Sequence, residues 1–181
     1  MIFTFVSHIQ PFLWEPRGFS SIEEMNEAIV ERWNKIVKPN DSVWVLGDLI
    51  LCNNVTGIQY LKRLNGQLYI IFGNHDTEVR KNLFFKELPN AHGGWYAYQI
   101  KDGKWHFYLS HYPTLTSNYD EKHVSQHLMN LHGHTHQQTN WLDPTNPFMY
   151  HVGLDSHNCT PVSIEEIRAD IKQKWEANSK D

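Results

Sequence analysis

Short apolar runs in this chain repeatedly end in a polar, chemically competent cluster, and that pattern restricts the fold more than any other feature. Val43-Trp-Val-Leu46 runs into Gly47-Asp48, and Leu68-Tyr-Ile-Ile-Phe72 into Gly73-Asn-His-Asp76. Lys104 to Ser110 runs into His111-Tyr-Pro113, and a later apolar approach ends in Leu131-His-Gly-His-Thr-His136. Runs this short, rich in β-branched and aromatic residues, read as buried strands. Ligands of open α/β sheets bind at the carboxyl ends of strands. The pattern therefore sets Asp48, Asn74, His75, Asp76, His111, His134 and His136 on one edge.

The intervening segments supply the helices and turns of an α/β chain. Ile2-Phe-Thr-Phe-Val6 reads as a further buried strand, followed by a loop with Pro11, Pro16 and Gly18. Ser21-Ile-Glu-Glu24 is a capping box, and Ile22, Met25, Ile29, Trp33 and Ile36 recur at helical spacing until Pro39-Asn-Asp41. A short helix carrying Ile58, Leu61 and Leu64 ends at Asn65-Gly66. Trp95 to Ile100 and Lys104 to Ser110 flank the hairpin signal Lys101-Asp-Gly103. A polar, partly helical segment precedes Leu131, and Phe148 to Val152 is another strand. The last helix opens with a second capping box, Ser163 to Glu166, and buries Ile164, Ile167, Ile171 and Trp175. No linker or internal repeat divides the chain, so residues 1–181 are expected to form one layered α/β domain.

Composition narrows the function. Lys and Arg number 16 against 20 Asp and Glu, and the net charge of −4 argues against a coat for long duplex nucleic acid or an anionic membrane surface. No apolar run is long enough to span a bilayer, and the amino end lacks the basic region of a signal peptide. The expectation is a cytoplasmic protein. Two Cys (Cys52 and Cys159) exclude a disulfide framework and a four-Cys zinc site, whereas 12 His are an excess.

Imidazoles, a carboxylate and an amide oxygen converging at strand ends suit a divalent transition metal. A zinc-finger reading fails for lack of thiolates. Taken singly, Gly47-Asp48 reads as a plain turn and His111 as a structural residue. Gly133-His-Thr-His136 says more, because alternating His on an extended segment rarely serves packing.

Taken in order, the motifs resemble those of the calcineurin-like metallophosphoesterase superfamily: D-x-H, then G-D, then G-N-H-[DE], then a lone His, then G-H-x-H. The last four appear as Gly47-Asp48, Gly73-Asn-His-Asp76, His111 and Gly133-His-Thr-His136. The stretch Phe19-Ser-Ser-Ile-Glu-Glu-Met-Asn-Glu-Ala and the closing Val152-Gly-Leu-Asp155 resemble compact bacterial and phage members. The resemblance implies a four-layer α/β/β/α sandwich around two divalent metal ions (Mn, Zn, Ni or Fe). Asp48 would bridge the metals, with Asn74, His111 and His134 on one and His136 on the other. His75 would protonate the leaving oxygen, oriented by Asp76.

The first motif departs from the pattern. Aligned without gaps, His8 and Gln10 stand where the family has Asp and His; a gapped alternative puts Phe3 and Phe5 there. Imidazole and amide oxygen both ligate, so His8 and Gln10 are kept as ligands of a weaker second site. Arg17 and His157 are the expected substrate contacts, and Trp14 and Trp141 are loop aromatics able to stack on a base. His123 and His127 read as an exposed helix face. The expected activity is hydrolysis of a small phosphomonoester or phosphodiester, nucleotide-like in character. The alternative is a degenerate relative that binds a nucleotide or a protein partner without hydrolysis.

Overall fold

The computed structural model describes residues 2–4, 14–116 and 123–178, the first of these as backbone alone. His8 and Gln10 lie outside the described residues. The strands are β1 (Ile2–Thr4), β2 (Ser42–Leu46), β3 (Gln67–Ile71), β4 (Ala91–Trp95), β5 (Ala97–Asp102), β6 (Trp105–Ser110), β7 (Leu128–His132), β8 (Met149–His151) and β9 (Val162–Ser163). The helices are α1 (Ile22–Ile36), α2 (Asn54–Leu61), α3 (Glu78–Glu87) and α4 (Ile164–Asn178). One sheet has the order β4-β3-β2-β1-β9 and the other β5-β6-β7-β8.

Strands β2 and β3 are apolar on both faces, and their alternation builds two cores. Val43, Val45, Leu68 and Ile70 pack with Val30, Trp33 and Val37, and with Phe84 of α3 and Leu88. The opposite residues Trp44, Leu46 and Ile71 join Phe107, Leu109, Met129 and Leu131 of the second sheet. Ile164, Ile167 and Ile171 of α4 complete that second cluster. Helix α4 is tied to the second sheet by Arg168 to Asp102 and by the Tyr150 hydroxyl donating to Asp170 at 2.7 Å. Helices, sheet, sheet, helix: this is the α/β/β/α sandwich.

Both expected capping serines cap their helices, and the second closes a full reciprocal box, whereas at the first Glu24 Oε2 accepts the N–H of Ser20 rather than that of Ser21. Glu24 N–H donates to Ser21 Oγ at 3.1 Å, and Glu166 N–H to Ser163 Oγ at 3.2 Å. In the second box Glu166 Oε2 accepts back from Ser163 N–H at 2.9 Å, so both amides are satisfied.

Three elements differ from expectation. The run Trp95 to Ile100 is not one strand: β4 ends at Trp95 in the first sheet, and β5 begins at Ala97 in the second. Gly93 and Gly94 take φ of +87° and +105° beside a register shift opposite Ile70 and Ile71, which turns the chain from one sheet toward the other. Helix α3 is additional; Thr77 caps it, and Phe84 is its one buried residue. His127 is buried rather than on an exposed helix, with its ring stacked 4.1 Å from Phe148. Part of the polar segment, residues 117–122, lies outside the described residues.

Candidate metal centre

Register brings the clusters together. Strands β2 and β3 are parallel with Leu46 opposite Ile71, so the turns at Gly47-Asp48 and Gly73–Asp76 leave the sheet side by side. In the second sheet Ser110 lies opposite His132, and Gly133 N–H donates to the His111 carbonyl at 3.1 Å. A side chain at Gly47 would collide with the His111 ring and the Gly73 backbone; one at Gly73 would collide with the Asp48 carboxylate. The glycines of both motifs are there because the loops touch.

The donors converge on His111 Nε2. Asn74 Oδ1 lies 2.8 Å from it, His134 Nδ1 3.1 Å and Asp48 Oδ2 3.4 Å. The other ring nitrogen, Nδ1, meets the Leu46 carbonyl at 2.8 Å and must donate to it. In the neutral ring Nε2 is then a lone pair, and it faces a carboxylate oxygen and an amide oxygen, both acceptors. Burial, then the nearby His111, lower the pKa of His134 and so favour its neutral form. Such a convergence of electron pairs calls for a cation. Donors bound about 2.0–2.2 Å from one ion stand about 3–3.5 Å from each other; His134 at 3.1 Å and Asp48 at 3.4 Å have that spacing from His111 Nε2, and Asn74 at 2.8 Å is somewhat closer. Among the described residues no group of three His, Cys, Asp or Glu forms a metal cage by itself; the convergence here depends on the Asn74 amide as one of its four donors.

Backbone strain marks the same place. Asp48, His134 and His136 have φ of +53°, +66° and +49°, a region that costs non-glycine residues of the order of 1 kcal/mol or more and gathers at functional sites. The surroundings hold them there. Asp76, 3 % exposed, accepts the N–H groups of Asp48 and Gly73 through Oδ2, both at 2.8 Å. Burial raises its pKa against the pull of these amides. Its bonds thus run to the loop backbones, and its described role is to brace the Asp48 and Gly73 turns rather than to orient His75. His75 itself is exposed, its N–H donating to Asp48 Oδ1 at 2.8 Å and its carbonyl accepting from Arg80 at 2.9 Å.

His136 is held by a residue that the sequence reading did not single out as part of the site. Its Nδ1 meets Asp155 Oδ2 at 3.1 Å, the kind of carboxylate contact that orients a ligating histidine. Asp155 in turn receives Arg17 in two parallel bonds of 2.8 Å, both side chains nearly fully buried. Burial opposes ionisation of Asp155, but hydrogen bonds from His136 and Arg17 overcome it and hold the carboxyl well below its usual range. The signal for Asp155 was present: it follows the strand run Phe148 to Val152 as the other clusters follow theirs.

Two expected substrate contacts are corrected. Arg17 is spent on Asp155 and does not present its guanidinium to a phosphate. His157 turns inward: its Nε2 meets the His151 carbonyl at 3.0 Å, and its ring stacks on Tyr150. Trp14 packs against the core around Met25 and Leu154, and Trp141 sets its edge against Tyr150, so neither loop Trp stands out as a base platform.

Residues 24–145 match the calcineurin-like phosphoesterase superfamily domain. The chain belongs to that superfamily. It is 32 % identical to an uncharacterized protein of Methanocaldococcus jannaschii, over 91 % of this chain and 85 % of that protein. It is 28 % identical to the gene 66 protein of Mycobacterium phage D29, over 80 % of this chain and 83 % of the phage protein. A protein of unknown function from Aquifex aeolicus has the same fold, with a TM-score of 0.67, 18 % identity, and coverage of 93 % of this chain and 97 % of that one. Phosphoesterases of this superfamily generally use divalent metals. No described helix is long and apolar enough to cross a membrane.

Proposed function

We propose that this protein is a metal-dependent phosphoesterase acting on a small phosphomonoester or phosphodiester of nucleotide-like character. The reading rests above all on the meeting of Asn74, His134 and Asp48 oxygens and nitrogens around His111 Nε2. Asp48, Asn74, His111 and His134 would hold one divalent ion; His136, with His8 and Gln10 and the shared Asp48, would hold a second. Bound ions supply Lewis acidity toward the phosphoryl oxygens and lower the pKa of water.

The chain supplies the rest. Asp48 Oδ1 accepts the His75 amide while Oδ2 faces His111 Nε2, so the carboxylate that would hold an ion also fixes the loop of the proton donor. His75, exposed at the mouth of the site, hands a proton to the leaving oxygen. With Arg17 occupied by Asp155, that guanidinium would not share the phosphate charge with the bound ions. Among the proposed ligands Asp48 is the one carboxylate, since His8 and Gln10 replace the Asp and His of the family pattern. Two bound ions would bring four positive charges against one ligand charge, so the second would be held weakly without an added anion. An imidazole-rich shell favours Zn²⁺, Ni²⁺ or Fe²⁺ over Mn²⁺.

The test is hydrolysis of chromogenic phosphomonoesters and phosphodiesters with each metal in turn. Turnover that Asp48→Asn abolishes supports the reading. No turnover in wild type, with nucleotide binding retained and activity appearing in a His8→Asp/Gln10→His variant, supports the non-hydrolysing alternative instead.

A further inference from the structure

One large aromatic ring stands beside the converged donors, is half exposed, and has no part in the ligand set. Tyr112 follows His111 directly, and its ring meets those of His111 and His134 edge-on, at centroid distances of 5.0 Å and 4.7 Å. Half of its surface, 50 %, is open to solvent. An exposed tyrosine is ordinary; one packed against two candidate ligands and held in place is not.

The holding is done by a buried polar network. The Tyr112 carbonyl accepts from Ser110 Oγ at 2.7 Å and from Thr114 Oγ1 at 3.1 Å. Ser110 Oγ accepts from Asn130 Nδ2 at 2.8 Å, and Asn130 Oδ1 accepts from Thr114 N–H at 2.8 Å. Asn130 is fully buried and Ser110 5 % exposed. Both ends of the His111–Thr114 turn are thus tied to one interior amide of β7, and Pro113 removes further freedom from it. The main chain under the ring is fixed this way, and a tyrosine has two side-chain torsions left to give up when something stacks on it.

We propose that Tyr112 is the platform on which the leaving group of the substrate stacks, and that the site therefore prefers phosphate esters whose leaving group carries an aromatic ring, a nucleobase above all. This rests on the phosphoesterase reading, nucleotide-like substrate included, and adds the residue that recognises the non-phosphate end. The His111 and His134 rings meet part of the tyrosine ring, and its exposed half is the part open to a ligand beside the donor cluster. Stacking is tolerant of base identity, since every base has a π-face. The proposal accordingly specifies an aromatic leaving group and leaves the sequence of bases unread.

The experiment compares adenosine 5′-monophosphate with ribose 5-phosphate, which share the phosphate and the leaving oxygen and differ in the base. Affinities of both, and of inorganic phosphate, are measured by calorimetry in Mn²⁺ for wild type, Tyr112→Phe and Tyr112→Ala. An aryl phosphate, phenyl phosphate, forms a further arm that separates base recognition from aromatic stacking in general. Loss of one base–aromatic stack is expected to cost about tenfold or more in affinity. Wild type and Tyr112→Phe should favour the nucleotide over ribose 5-phosphate by that factor, and Tyr112→Ala should lose the preference while keeping its affinity for inorganic phosphate. No preference in wild type, including no binding of either ester, overturns the proposal. So does a Tyr112→Ala variant that weakens all ligands equally. Turnover is followed on the same samples: hydrolysis without base preference contradicts stacking alone, and base preference without hydrolysis contradicts the hydrolase reading alone.

Discussion

Asp76 Oδ2 accepts the backbone N–H of Asp48 at 2.8 Å, so a carboxylate from one strand-end loop fixes the position of a carboxylate in the next. The same oxygen takes the Gly73 amide. The G-D and G-N-H-D motifs therefore form one clamped unit, and the strained φ of Asp48 is the conformation this unit enforces.

Removing the clamp should be costly. Asp76→Ala leaves two amides without their acceptor, at about 1–3 kcal/mol each where they are buried. Denaturant unfolding should show a loss of several kcal/mol, together with weaker metal binding. A variant as stable as wild type would mean that water replaces the carboxylate.

Arg17 and Asp155 should behave as a structural pair. Breaking a buried ion pair from one side typically costs about 3–5 kcal/mol, whereas replacing both partners by apolar residues is often nearly neutral. Arg17→Met and Asp155→Leu are each expected to destabilise strongly, and the double variant much less. A double-mutant cycle read by chemical unfolding checks this, and additive losses would contradict it.

Much of this arrangement was legible in the sequence because short-range physics carries it. Val43 to Leu46 and Leu68 to Ile71 alternate between two cores, so they had to be strands buried on both faces, and the polar residues after them had to share an edge. The Arg17–Asp155 pair was not legible, since it joins residues 138 positions apart and no spacing announces it. Helix α3 was missed because one buried residue, Phe84, leaves no periodic stripe. The break at Tyr96 was missed because β4 and β5 are continuous in polarity, and only the glycines before it mark the change of sheet.

Stability should fall as the solution is acidified below neutrality. Burial holds the pKa of His151 down to about 3 and that of His132 down to about 4, against an ordinary value of 6.5. Between about pH 6.5 and these values the unfolded chain binds protons that the native state refuses, so native stability drops as pH drops. The slope approaches about 1.4 kcal/mol per pH unit for each histidine once the pH is well below 6.5. Urea unfolding at pH 7.5, 6 and 5 reads it, and His151→Gln should flatten the curve. A wild-type curve that is flat from pH 7.5 to 5 would exclude neutral buried imidazoles.

The proton donor has its own test. His75→Ala should lower turnover by about 10²–10⁴-fold on esters with basic alkoxide leaving groups. The loss should be far smaller on a nitrophenyl ester, whose phenolate leaves without a proton. Equal losses on both would remove His75 from that role.

The account depends most on the four donors around His111 Nε2 holding a divalent ion. Equilibrium dialysis against Mn²⁺ or Zn²⁺, in the absence of phosphate, measures this directly on wild type, His111→Ala and His136→Ala. The expected result is one tightly bound ion per chain in wild type and in His136→Ala, with affinity at least about tenfold weaker in His111→Ala, which loses one of the protein ligands. No bound ion in wild type, or an ion that His111→Ala leaves undisturbed, would contradict it.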